Sequence, residues 1–312
     1  MQPIPITILA GSDHVAGPLP ETGANLHPLA VYKGAEVKVG ERRLIEVLFD
    51  HIVKSEAFGP ITIAGPAEVY AHLGLEARIV DTSGSVATNL HAAIDDHEEQ
   101  HGQQPMAMIA YDVILKPSEL IELRQQYEND RPCAMWMPFV RMPQDKEALG
   151  SFAWKPSYSL QPEQGGEPFR ILPGHLAIFH PETLRLPLLY KLLDLAYRTR
   201  NHPVAPRRRL MIRSILADLL ARDLRLIGSL QRPRITAAVI SNGLRLARGL
   251  RHGDITISGL EKAIGGIFLQ HNSRLKGPTE GIRHPIVDIL SLAEDVDTEE
   301  EAREFVEWSE PE

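Results

Sequence analysis

Apolar positions in the first 130 residues fall into two alternating patterns. Short runs that are apolar throughout, Ile6–Ala10, Pro60–Ala64, Ala77–Val80 and Met106–Ala110, read as strands covered on both faces. Between them lie segments with helical spacing. Arg43–Lys54 places Leu44, Val47, Leu48 and Ile52 on one face, and further helices are expected over Ala67–Leu73, Ser85–Asp96 and Pro117–Asn129. Gly11-Ser12 and Gly65-Pro66 punctuate strand ends. Strand and helix in this rhythm predict parallel strands joined by right-handed crossovers. In such a sheet ligands bind beyond the carboxyl ends of the strands. The long loop over residues 12–34 and Asp112, just past Ala110, both fall at that edge.

The pattern changes after residue 130. Residues 134–180 read as irregular and β-rich, with Trp136–Val140 and Leu176–Phe179 the clearest runs. Residues 182–230 read as helices, with stripes at Leu188, Leu189, Leu192, Leu193 and Leu195 and at Met211, Ile215, Leu216, Leu219 and Leu220. Ile235–Leu250 is amphipathic and fits either a core helix or a helix lying on a membrane surface. Residues 198–251 hold thirteen arginines and two aspartates, either a solvated face or a contact for a phosphorylated acceptor, whereas the tail from Glu294 is acidic.

Composition narrows the classes. At 312 residues the chain is about two domains long or one large α/β domain with an insertion. A net charge of −8 argues against a general nucleic-acid binder. The lone cysteine, Cys133, excludes a disulfide framework and a four-cysteine zinc site and suggests a reducing compartment. No apolar run approaches the roughly 18 residues of a membrane span, and the N-terminus lacks the basic head of a signal peptide. A soluble, cytoplasmic protein is expected.

Four strings could carry chemistry. His97-Glu98-Glu99-Gln100-His101 has the spacing of a zinc helix, with the glutamate as base of a hydrolase, but its polar flanks and the lack of a third ligand nearby in sequence argue for a solvated helix end. Asp112 is placed either to hold Mg²⁺ with a substrate phosphate or to cap a turn. Asp295-Val296-Asp297-Thr298-Glu299-Glu300 suits an N-cap at Asp297 or Thr298 for a helix over Glu299–Trp308. If extended, it also points Asp295 and Asp297 the same way. Thr82–Asn89 joins a strand to a helix, as a capped turn or an anion site.

Taken in order, these pieces resemble the MobA-like NTP transferases. Leu9-Ala10-Gly11-Ser12 resembles the start of the L-A-G-G loop, and Lys33–Ile45 followed by Glu46-Val47-Leu48 resembles K-A-L-x-x-I-x-G-R-P-L-I-E-x-V-L. Gly65–Glu68 matches the second strand end, and Ser83-Gly84-Ser85 with Asn89-Leu90 resembles S-G-S-x-x-x-N-L. Ala110–Pro117 resembles S-D-I-P-L-L-T-P, and Asp295–Glu300 resembles D-V-D-T-P-E-D.

The resemblance implies a Rossmann-like, mostly parallel, GT-A-like nucleotidyltransferase fold with a helical insertion. Its parts would be a nucleotide-binding core over 1–130, an acceptor-side β segment and insertion over 131–290, and a closing acidic segment and helix over 291–312. It implies transfer of a nucleotidyl group from an NTP to a phosphorylated small molecule, with Mg²⁺ held by Asp112, Asp295 and Asp297. Leu9, Ala10, Gly11, Ser12, Gly84, Ser85 and Asn89 would line the nucleotide. Lys33 or Lys38 would contact phosphate, and Gly174 and His175 would face the acceptor. The sequence departs from the pattern at Ser12–Pro18, which has no basic residue, and at Arg43, Ile114 and His175, which replace proline, proline and asparagine. The competing expectation is a relative that binds nucleotide or sugar phosphate without turning it over.

Overall fold

The computed structural model describes residues 2–11, 27, 29, 31–82, 85–145, 149–150, 152, 155, 157–198, 219, 223, 235–270 and 281–308. The stripe residues Met211, Ile215, Leu216 and Leu220, and most of the loop over 12–34, lie outside these.

The first half folds as a mostly parallel α/β sheet. Strands β1 (Ile4–Leu9), β4 (Phe58–Gly65), β5 (Arg78–Asp81) and β6 (Met106–Ala110) are parallel neighbours in the spatial order β5-β4-β1-β6. Leu9 is in register with Ala64 on one side and Ala110 on the other, so the carboxyl ends of all three strands share one edge. The chain moves outward from β1 to β5, then returns to place β6 on the other flank of β1. That reversal makes the gap between β1 and β6 a topological switch point, where such sheets open a crevice.

Helices cover both faces. Helix α2 (Leu44–Ser55) buries Leu44, Ile45, Val47, Leu48, Phe49 and Ile52, and its Glu46 carboxylate accepts the Arg43 N–H at 2.7 Å to satisfy its first turn. It packs with α5 (Pro117–Asp130), whose Leu120, Leu123 and Tyr127 join Ile45, Leu48 and Ile52 in the main core. On the opposite face α4 (Val86–His101) supplies Leu90, Ala93 and Ile94 to a cluster shared with α6 (Leu186–Arg198). Two short elements precede α2. These are α1 (Lys33–Glu36) and a hairpin of β2 (Lys38–Val39) and β3 (Arg42–Arg43) that turns at Gly40, φ 63°. Ala67–Tyr70 forms α3.

The second half joins the same sheet. β11 (Leu176–Phe179) runs antiparallel between β6 and β7 (Met135–Trp136), and β12 (Ile282–Arg283) extends β7 in parallel. A four-stranded sheet continues from this edge, in the order β13 (Ile286–Val287), β8 (Phe139–Arg141), β10 (Phe169–Pro173) and β9 (Tyr158–Leu160). Two chain segments, 135–141 and 282–287, thus pass side by side from one sheet into the other. The second of them delivers the acidic segment to the edge beside β6.

The amphipathic stretch after residue 234 is helix α7 (Ile235–His252). It packs Val239 and Leu246 beside Ile267 of α8 (Ile257–Phe268) and leaves Ile240 and Leu244 exposed. Glu299–Trp308 forms α9. Among the described residues, no helix is long and apolar enough to cross a membrane.

Candidate functional site

Residues from five places in the chain converge where β1 and β6 end. Asp112 follows β6 directly and is buried. The backbone N–H of Val296 donates to the Asp112 carbonyl at 2.9 Å, which fixes the acidic segment against the β6 loop. Val296 points into an apolar cluster with Val37, Val39 and Leu44. The side chains of Asp295 and Asp297, on either side of it, turn toward Asp112. One ligand atom from each of Asp112, Asp295 and Asp297 lies within 4.8 Å of the others, the one such group of three among the described residues.

Two ammonium groups hold this trio together. Lys33 Nζ, at the start of α1, donates to Asp112 Oδ2 at 2.6 Å, Asp297 Oδ1 at 2.8 Å and the Val296 carbonyl at 2.7 Å. Lys155 Nζ donates to Asp295 Oδ1 at 2.6 Å and Asp297 Oδ2 at 3.0 Å, and lies 3.7 Å from Glu301 Oε1. Burial lowers the pKa of Lys33, but the charges of Asp112 and Asp297 outweigh it and hold the ammonium well above its ordinary range. Lys155 is raised in the same way, with burial opposed by Asp295, Asp297 and Glu301.

His175 closes the cluster on the Asp295 side. It precedes β11, and its carbonyl accepts the Ala110 N–H at 3.1 Å while its own N–H donates to Leu292 at 2.9 Å. Its Nε2 lies 3.2 Å from Asp295 Oδ1. Burial lowers the imidazole pKa and Asp295 raises it further than burial lowers it. Burial opposes ionisation of Asp295 in turn, but His175 and Lys155 depress its carboxyl well below the usual range. Gly174 beside it has no room for a side chain, since a Cβ would meet the Pro138 carbonyl oxygen at 2.5 Å.

The capping reading of the acidic string and its place in the cluster are both visible. Thr298 Oγ1 accepts the Glu301 N–H at 3.2 Å, and Glu301 Oε2 accepts the N–H groups of Asp297 at 2.6 Å and Thr298 at 2.9 Å. Thr298, rather than Asp297, is therefore the cap of α9. His27 and Leu29, at the end of the long loop, clasp the same segment: Leu29 N–H donates to the Asp297 carbonyl at 2.8 Å, and Glu299 N–H donates to the His27 carbonyl at 2.9 Å.

On the far side of the switch point, Leu9 and Ala10 lead to Gly11, where an added Cβ would fall 2.5 Å from Asn89 Nδ2. Asn89 is buried and accepts a hydrogen bond from Thr82 Oγ1. Ser85 caps α4, its hydroxyl accepting the Thr88 N–H at 3.3 Å. Ser12 and Gly84 lie outside the described residues.

Of the two candidate lysines only Lys33 reaches the carboxylates. Lys38 is exposed on β2, because Val37 and Val39 on either side of it are buried and alternation turns it outward.

The paired histidines do not form a zinc site with any third ligand among the described residues. Helix α4 runs through His101, past the end expected at Asp96. His97 is buried rather than solvated, because its Nε2 donates to the Gln104 carbonyl at 2.9 Å and folds the chain back over the helix end.

Lys155 went unrecognised in the sequence. No local signal marks it, because its carboxylate partners lie about 140 residues further along the chain.

No protein-family model matches the chain, and no curated protein is significantly similar to it. Among solved structures it is similar to CMP:2-keto-3-deoxy-manno-octonic acid synthetase complexed with CTP, at 9% identity and a TM-score of 0.43 over 73% of this chain and 86% of that one. It is also similar to HddC from Yersinia pseudotuberculosis complexed with GMP-PN, at 10% identity and a TM-score of 0.41 over 61% of this chain and 79% of that one.

Proposed function

We propose that the protein is a nucleotidyltransferase of the MobA-like kind. It would transfer a nucleotidyl group from an NTP to a phosphorylated small molecule with release of pyrophosphate. One observation carries this reading: Asp112 and Asp297, far apart in sequence, meet on one ammonium, Lys33, at the switch-point edge of a parallel sheet. The ordered motif resemblance supports it.

The donor set fits a divalent cation. Three carboxylates within 4.8 Å of one another offer only hard oxygen ligands, the kind Mg²⁺ takes. Asp112, Asp295 and Asp297 would hold the ion, which would offset charge on the phosphoryl oxygens. The chain's own groups do the rest. Gly11 and Asn89, packed against each other, would line the polyphosphate, and the capped N-terminus of α4 favours an anion beside them. Lys33 supplies a positive charge beside the carboxylates. His175 lies on the acceptor side, held by Asp295. An acceptor phosphate oxygen would attack the α-phosphorus, forming one P–O bond as the bond to the bridging oxygen breaks and pyrophosphate departs. Positioning and charge compensation supply most of the catalysis. The single, buried cysteine suits a reducing compartment such as the cytoplasm.

The test is pyrophosphate release from each of the four common NTPs with Mg²⁺ and a panel of sugar phosphates and other phosphorylated acceptors. Release with at least one pair, lost in Asp112→Asn with the fold retained by circular dichroism, is expected. Nucleotide binding without release from any pair would instead favour a binding protein on this fold.

A further inference from the structure

The carboxylate trio already has its positive charge. Lys33 takes one oxygen each of Asp112 and Asp297, and Lys155 takes one of Asp295 and the other of Asp297, so both oxygens of Asp297 are engaged. Each lysine side chain is only 8% exposed. Mg²⁺ binds carboxylate oxygen at about 2.0–2.1 Å. A cation among these oxygens would share them with both ammoniums, with little water to screen the repulsion.

We propose that Lys33 and Lys155 are resident counter-ions that exclude a bare divalent cation from Asp112, Asp295 and Asp297. They leave those oxygens only when a polyphosphate draws the ammoniums to itself, so that cation and polyphosphate enter together.

The chemistry of the two residues suits an exchange. A lysine is a compact charge on a flexible four-carbon stem, able to change partners without moving the backbone. Asp112, Asp295, Asp297 and Glu301 bring four carboxylates to the site, and the two lysines and His175 surround them. Adding a cation alone makes the pocket more positive. Adding it with a polyphosphate gives the displaced ammoniums new anionic partners. The identity of the polyphosphate as an NTP rests on the nucleotidyl-transfer reading; the exchange itself does not.

Calorimetric titration with Mn²⁺ alone, and separately with inorganic tripolyphosphate in metal-free buffer, tests the exchange on the full chain. Lys155→Met should tighten Mn²⁺ binding about tenfold, a magnitude ordinary for coupled sites, and weaken tripolyphosphate binding. Lys33→Met should do the same, and it carries the test if the first variant fails to fold. Lys155→Arg, which keeps the charge, should leave Mn²⁺ binding weak. The opposite movement of the two ligands is the signature, since a merely structural lysine would weaken both. Mn²⁺ binding that is unchanged or weaker in both methionine variants overturns the proposal, as does unchanged tripolyphosphate binding. Opposite shifts in a protein that releases pyrophosphate from no NTP would support the exchange while sinking the transfer reading.

Discussion

Lys33→Met removes the ammonium that joins Asp112 to Asp297. Methionine keeps the unbranched stem and deletes the ammonium. Asp112, with a side chain 11% exposed, then loses its contact cation, and the Val296 carbonyl loses its donor. Asp297 suffers less, because its side chain is 34% exposed and Lys155 remains at 3.0 Å. Removing one partner of a buried ion pair costs about 3–5 kcal/mol, chiefly through the uncompensated charge left behind. With an unfolding entropy of about 2.1 cal/mol/K per residue, that is a fall in Tm of roughly 5–8 °C for a chain this long. Asp112→Asn should cost less, because the ammonium keeps Asp297. The double variant, Lys33→Met with Asp112→Asn, removes both charges and strands neither. It should be more stable than the sum of the single effects predicts, by about 2 kcal/mol. Scanning calorimetry of the four proteins in metal-free buffer reads all of this. A Lys33→Met protein melting within a degree of wild type, or strict additivity in the cycle, would refute the reasoning.

Two other features give predictions away from the carboxylates. Burial pushes the His284 imidazole down to about 4, and its Nδ1 donates to the Met137 carbonyl at 2.7 Å. The unfolded chain, titrating near 6.5, binds more protons than the folded one between these values. Stability from this group is therefore complete above about pH 6.5 and falls as pH drops toward 4, by up to about 3 kcal/mol. In His284→Asn the dependence of Tm on pH over this window should flatten; a slope equal to that of wild type would count against it. Two glycines should respond with opposite signs. In Gly174→Ala the new methyl meets the Pro138 carbonyl oxygen at 2.5 Å and Leu292 Cδ2 at 3.0 Å, costing about 1–3 kcal/mol. In Gly243→Ala, inside α7, the methyl meets nothing within 4 Å, and helix propensity should raise stability by about 0.5–1 kcal/mol. Denaturant midpoints that moved the same way for both would contradict the packing described.

The parts of the fold that could be read from the sequence are those with local signals. β1, β4 and β6 are apolar runs long enough to stand out, and α2 has both a clear apolar face and Glu46 at its first turn. β12 and β13 are two residues each and carry no pattern of their own. Their pairing depends on segments about 145 positions apart coming together, which no window along the chain registers. At the site, Asp112 could be found because it ends an apolar strand. Lys33 and Lys38 could not be told apart by motif spacing, yet the Val37-Lys38-Val39 alternation decides between them once both valines are seen to be buried. Lys155 sits outside any regular element, and its partners are about 140 residues away.

The acidic segment shows why a structural and a chemical reading of one string need not compete. Thr298 and Glu301 form a capping box, which fixes the backbone N–H groups of Asp297, Thr298 and Glu301. Val296 is fully buried, and its N–H is bound to the Asp112 carbonyl. With the backbone held at both points and Val296 anchored inward, the side chains of Asp295 and Asp297 have little choice but to face Asp112. The cap thus positions the carboxylates, and the lysines balance charge where Asp112 and Asp295 are largely shielded from water. It follows that the convergence of Asp112, Asp295 and Asp297 is built by the fold itself, through backbone contacts at Val296, Asp297 and Thr298.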